Sequence, residues 1–231
     1  MWRTGRGSYG RCNSATCADR EGETMSGTTV QARSTTDTGG WICFWGGLVG
    51  AVQAVIMLLW TPEVGADRYS YPMTPGGYVV AQLTFAVQHV ALLVGLVALA
   101  RSAWTARSRP ARVGAWASAA GMALLTIMEA VAILAASEPT GSATATLVDS
   151  LYGIPTIVLG VALVVCAVAL VRDRSLGAGP RWMVLVLGVY VFVVLLPGIV
   201  TGSYTLARIA IGVWMLGFAM LGFLLARRSE G

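Results

Sequence analysis

The sequence contains no lysine: its sixteen basic residues are all arginine, beside eleven acids, one histidine and one asparagine. Charged residues make up only 12% of the chain, against about 25% in a soluble domain. That is too little charge to coat a water-facing surface. A single histidine, His89, cannot supply the paired axial ligands of a membrane di-haem site. The four cysteines form no metal or disulfide framework. Cys12 and Cys17 offer at most half a zinc site, with no further Cys or His nearby, while Cys43 and Cys166 fall in apolar runs and read as small packing residues. No segment alternates with the period of two that a barrel strand needs. There is no phosphate loop and no nucleophile–base pair, which disfavours ATP hydrolysis and phosphoryl transfer. Residues 5–10, GRGSYG, match G-x-G-x-x-G only formally, since a dinucleotide site needs a strand before it and a helix after it. No cofactor and no metal are called for.

What the chain has instead is hydrocarbon. Apolar residues reach 56% of 231, and mean hydropathy is +0.70. Six runs, near 41–60, 78–100, 113–136, 147–171, 182–200 and 204–226, are each long enough to cross a bilayer, which takes about 20 residues. The fold class is therefore an all-α polytopic membrane bundle of six transmembrane helices. Connections alternate in charge. Residues 101–112 carry Arg101, Arg107, Arg109 and Arg112, residues 172–181 carry Arg172, Arg174 and Arg181 against Asp173, and Arg227 and Arg228 follow the last run. The intervening loops hold Glu63, Asp67 and Arg68, then Glu138, then no charge. The positive-inside rule predicts both termini in the cytoplasm and an inner (plasma) membrane protein. The net charge of +5 is thereby explained by topology, and a nucleic-acid partner is rejected.

Residues 1–40 are polar and lack apolar periodicity, so a disordered cytoplasmic tail is expected, followed by the six-helix domain at 41–228. Met25 is a plausible alternative start. The tail is not a secretory signal, because the run at 41–60 is longer than an h-region. Gly46 with Gly50, and Ala117 with Gly121, form small-xxx-small pairs that predict tight packing within the bundle.

Ionisable groups inside spans are costly and mark bundle interiors or water-filled cavities. Here they sort by depth. Measured from the outer ends at the helical rise, Asp149 and Tyr152 lie about 3 and 8 Å deep, Gln82 and Arg208 about 6 Å, Gln53 and Glu129 about 10 Å, and His89 about 16 Å. The cytoplasmic halves, such as ALLVGLVALA at 91–100 and VLGVALVVCAVALV at 158–171, are nearly unbroken hydrocarbon. One polar pocket, open outward and plugged below, accounts for this distribution. Gln82, Phe85 and His89 share a helix face, as do Asp149 and Tyr152. Arg208 calls for Glu129 or Asp149 as counter-ion. Pro155 and Pro197 predict kinks in the polar layer, and Trp214 a pocket wall. Each polar group also has a structural reading: an ion pair that fixes register, a histidine satisfied between helices, or glutamines that bond neighbouring helices. The loop at 61–77, with Tyr69, Tyr71 and three prolines, reads as an interfacial anchor ahead of a partial lid. Trp41, Trp60, Trp104 and Trp182 read as interface-belt residues.

The segments RYSYPMTPGGYVVAQLTFAVQHVALLVGLVALAR and ARIAIGVWMLGFAMLGFLLA resemble a broad set of six-span membrane proteins from GC-rich, actinobacterial-type bacteria. The resemblance covers most of residues 40–228 and implies a six-helix inner-membrane bundle. It carries no established activity and transfers no catalytic residue. Three functions follow from the polar layer. The first is binding or moving an amphiphilic small molecule or lipid, with Gln53, Gln82, Phe85, Asp149, Tyr152, Arg208 and Trp214 as ligand-binding residues. The second is a membrane-embedded enzyme acting on an isoprenoid or lipid, with Glu129 as proton donor and His89 as base or orienting group. In size and acid count the chain is similar to small integral-membrane terpene cyclases, without a shared motif. The third is a structural partner in a membrane complex.

Overall fold

A computed structural model describes residues 14–173 and 178–227. The glycine-rich match at 5–10, Cys12, Arg174 and Arg228 lie outside them, as do the side chains of Cys17 and Met25. The described chain is helical, with no strand among the described residues: α1 (Ser14–Leu59), α2 (Pro75–Arg101), α3 (Ala103–Ala106), α4 (Arg109–Ala132) extended by a 3₁₀ turn (Ile133–Ala135), α5 (Ala143–Arg172), α6 (Ala178–Tyr190) running through a π-helical turn (Val191–Leu195) into α7 (Leu196–Val200), and α8 (Tyr204–Arg227). Six stretches are long and apolar enough to cross a membrane: Thr36–Leu59, Pro75–Arg101, Arg109–Ala135, Ala143–Arg172, Gly179–Val200 and Tyr204–Arg227. The protein is a multi-pass, six-span membrane bundle.

The second, third and fourth spans begin about a turn before the apolar runs do, and capping explains the difference. Thr74, Ser108 and Ser142 each accept the backbone N–H three residues on, at Gly77, Ala111 and Ala145. Prolines in the first turn of α2 and α4 reinforce two of these starts. Helix formation is thus set by the polar cap, outside the stretch that hydropathy marks. The first helix is likewise described back to Ser14, through a segment the sequence reading left without structure.

The helices form a closed ring in chain order. α1 packs between α8 and α2, α4 between α2 and α5, and the fifth span lies on α5 and, less extensively, on α8. Glycine decides two of these seams. A Cβ on Gly47 would sit 2.6 Å from the backbone of Met215 and Ala219, and one on Gly222 would sit 2.5 Å from the backbone nitrogen of Phe44. α1 and α8 therefore approach backbone to backbone. On α4 the close approach falls at Gly114, 2.6 Å from the Cys166 nitrogen, and at Gly121 against Leu159. Gly114, rather than Ala117, is thus the partner of Gly121. Gly46 faces Ala91 of α2, and Gly50 lies between Met215 and Gln88, so both point into the bundle.

The arginine-bearing half is closed by an apolar core that includes Leu92, Leu96, Leu99, Met122, Leu163, Leu170, Leu187, Phe218 and Leu221. Trp104 belongs to this core at 7% exposure, not to an interface belt: Ser102 and Thr105 bond the last carbonyls of α2 and fold the short α3 back beneath the bundle. Trp41, Trp60 and Trp182 are exposed at span ends.

Candidate functional site

The opposite half, where the acidic loops join the helices, contains a cleft of about 720 Å³ bounded by α2, α4, α5, the fifth span and α8. Its polar wall is a network centred on Glu129. The Gln82 amide donates to Glu129 Oε2 at 2.9 Å, the Tyr152 hydroxyl donates to the same oxygen at 2.9 Å, and Gln82 also donates to the Tyr152 oxygen at 3.1 Å. His89 Nδ1 lies 3.2 Å from Glu129 Oε1, a close polar contact outside good hydrogen-bond alignment. Gln82, His89 and Glu129 are all buried.

Helix direction explains why these groups meet. Side chains lean toward the N-terminus of their own helix. α2 starts at the loop end of the bundle and α4 at the arginine end. His89 therefore reaches up toward the loops and Glu129 reaches down. A pair whose Cα positions differ in depth closes to contact, and three helices are tied at one carboxylate. Glu129 has protein partners at both oxygens. That arrangement ties α2, α4 and α5 together at one carboxylate, as expected of a buried polar network.

The opposite wall is apolar and comes largely from the fifth span. Leu195, Leu196, Ile199 and Val200 line the cleft there, with Ile211 and Met215 from α8. Pro197 is the local cause. It has no N–H to give and its ring crowds the carbonyl a turn earlier, so the helix widens ahead of it. The Leu196 N–H bonds Val191 O, five residues back, in a π-type turn. Pro155, by contrast, is absorbed within a continuous α5.

Most of the site residues read from sequence share this space: Gln82, Phe85, His89, Glu129, Asp149, Tyr152, Arg208 and Trp214 all line the cleft. Gln53 does not. It donates to Ala81 O at 3.1 Å and accepts from Gln88, so it ties α1 to α2 on the far side of α2. The first span is a buttress of the cleft, not a wall of it. The counter-ion expected for Arg208 is also missing, with no carboxylate at ion-pair distance among the described residues. Glu129 is taken by His89, and Asp149 at the exposed rim accepts the Tyr69 hydroxyl at 2.8 Å. Arg208 instead lies against two rings, its Cζ 5.1 Å from the centroid of Tyr204 and 5.8 Å from that of Phe85.

The loop before α2 is more than an anchor. Tyr69 N–H bonds Glu138 O, Thr140 N–H bonds Asp67 O, and Tyr71 packs edge-on against Tyr204. The two loops are thus stitched together, and Tyr69 lines the cleft. Burial first, then the neighbouring Tyr78 and Asp149, push the Tyr69 phenol well above the ordinary tyrosine range. Among the lining residues that the sequence reading did not single out although periodicity marks them are Tyr78, one turn before Gln82, and Thr156, one turn after Tyr152. No family model, curated protein or solved structure matches this chain.

Proposed function

We propose that this multi-pass membrane protein binds an amphiphilic small molecule in the cleft, entering from the loop end, which the arginine distribution assigns to the outside. The observation that carries the reading is the cleft itself. Its volume of about 720 Å³ is that of a small-molecule site, with convergent polar groups on one wall and hydrocarbon on the other. The buried apolar core of the arginine half lies beneath it. The reading is therefore of binding from one side, with any onward passage requiring the helices to part.

Gly153 offers the test, because it lines the cleft and a Cβ placed on it meets nothing within 4 Å. Gly153→Trp should fill the cleft without a backbone clash. Palmitic acid and the corresponding neutral alcohol, each bearing a diazirine, are photolysed with the purified protein. Labelling is expected in the peptides around Tyr152 and Ile211, competed by excess unlabelled probe and lost in Gly153→Trp. Labelling by both probes only at outward-facing positions such as Val87, Leu134 and Val193, indifferent to competitor, refutes the reading.

A further inference from the structure

We propose that the amphiphile is an anion, held by its charged group at Arg208 and by its next polar oxygen at the indole N–H of Trp214. This deepens the binding reading and rests on it. The argument is an accounting of donors and acceptors around the cleft. Glu129 is satisfied: Gln82 and Tyr152 donate to one oxygen and His89 contacts the other. Asp149 accepts the Tyr69 hydroxyl at the solvent-exposed rim, where water screens its charge. Among the cleft residues three buried side-chain nitrogens lack a hydrogen-bond partner: His89 Nδ1 on α2 still contacts Glu129 at 3.2 Å, and the other two are donors on α8. Arg208 Nε and Trp214 Nε1 are buried with no acceptor. Trp214 is itself only 3% exposed.

A guanidinium without a carboxylate is the unusual element. Intramembrane arginines pair with acids or carbonyls, since a lone cation in a low-dielectric layer is costly. Phe85 and Tyr204 flank Arg208, but neither a ring face nor a neutral phenol supplies the negative charge that would neutralise it. Acids line the same cleft, yet one is engaged by His89 and the other by Tyr69. A ligand that brings its own negative charge completes the site, and Arg suits a carboxylate or phosphate through its fork of donors.

The second donor sets the shape of the ligand. Trp214 follows Arg208 by six residues, about 9 Å further along α8 toward the arginine end. The ligand therefore carries its charge near the mouth and a carbonyl, ester or hydroxyl oxygen deeper. The chain that follows lies along Leu195, Leu196, Ile199 and Met215. An anionic ester lipid has this order of groups, and a fatty acid has the first and last of them.

The test uses the full chain in detergent, with retained ligand counted by native mass spectrometry. Dioleoyl phosphatidylglycerol, dioleoyl phosphatidylcholine, oleate and inorganic phosphate are supplied separately. A single phosphatidylglycerol is expected to be retained at least about tenfold more strongly than phosphatidylcholine, the worth of one charge-assisted hydrogen bond. Arg208→Gln should abolish that preference and Arg208→Lys should keep most of it, with thermal melting confirming that both variants fold. Trp214→Phe should weaken phosphatidylglycerol and spare oleate. Oleate retained as tightly as phosphatidylglycerol, and released by Arg208→Gln, supports the anion site with a fatty acid as its source. Equal retention of both phospholipids, unchanged by Arg208→Gln, overturns the anion proposal while leaving amphiphile binding intact. Phosphate retained without any chain overturns it from the other side. Retention of none of the four refutes both readings.

Discussion

Removing Glu129 should unfasten three helices at once, and the cost can be worked from its contacts. The carboxylate accepts from Gln82 and Tyr152 at 2.9 Å each and lies 3.2 Å from His89. Polar contacts between membrane helices are worth about 0.6 kcal/mol on average and reach about 1.7 kcal/mol. Three of them give about 2–5 kcal/mol, in the range of about 3–5 kcal/mol for breaking a buried pair in water-soluble proteins. Glu129→Ala is therefore expected to destabilise by about 2–5 kcal/mol, part of it from lost packing. Glu129→Gln keeps the volume but puts an amide donor where an acceptor is needed, and is expected to cost about 1–3 kcal/mol. Tyr152→Phe removes one donor and should cost about 0.5–1.5 kcal/mol. The decisive quantity is the coupling between Glu129→Ala and Tyr152→Phe, measured by equilibrium unfolding in bicelles. A shared network demands that the two effects fail to add by at least about 0.5 kcal/mol. Simple additivity, or a Glu129→Ala variant within about 0.5 kcal/mol of the parent, would refute the reasoning, because isolated polar residues in lipid behave that way.

Three further expectations test the frame around the cleft. Gly222→Ala drives a Cβ to 2.5 Å from the backbone of Phe44 and should lower stability by about 1–3 kcal/mol, whereas Gly153→Ala should be near neutral; thermal melts of the two variants decide. Gln53→Leu leaves Gln88, which is 3% exposed, without its amide partner and should cost about 1–3 kcal/mol, while Gln53→Leu with Gln88→Leu recovers much of it in the same unfolding assay. Tyr69 should stay protonated at alkaline pH where an ordinary tyrosine ionises, near pH 10. The phenol is neutral in the folded state and ionises in the unfolded one, so its contribution is full below about pH 10 and lost as pH rises above it. The difference in phenolate absorbance between the parent and Tyr69→Phe should therefore stay flat through the ordinary tyrosine titration.

The six spans were legible because bilayer thickness imposes a length on every apolar run, and the sorting of polar residues by depth was legible because burying them in lipid is expensive. Partners were not. Depth placed Arg208 level with Glu129 and Asp149, but depth says nothing of azimuth around the ring or of which way a side chain leans. His89 wins Glu129 because antiparallel helices tilt their side chains toward each other along the axis. Gln53 has the composition of a site residue and the address of a buttress, since only the ring order of the helices tells the two sides of α2 apart. The apolar wall gave no signal beyond Pro197: VFVVLLPGIV reads as ordinary membrane helix, and its place in the cleft follows from the wider turn that the proline forces.

These facts bear on why one end of the bundle is open. Two of the seams are close-packed at glycines, Gly47 and Gly222 between α1 and α8 and Gly114 and Gly121 between α4 and α5. The seam between the fifth span and α8 is held in the loop half by the Tyr190 hydroxyl on Ala210 O and by the packing of Gly198 on Ala210. Past that contact Ile199 and Val200 line the cleft together with Arg208. The cation without a carboxylate and the irregular helix beside it thus line one cleft, and an opening at the loop end is what makes an arginine tolerable at this depth.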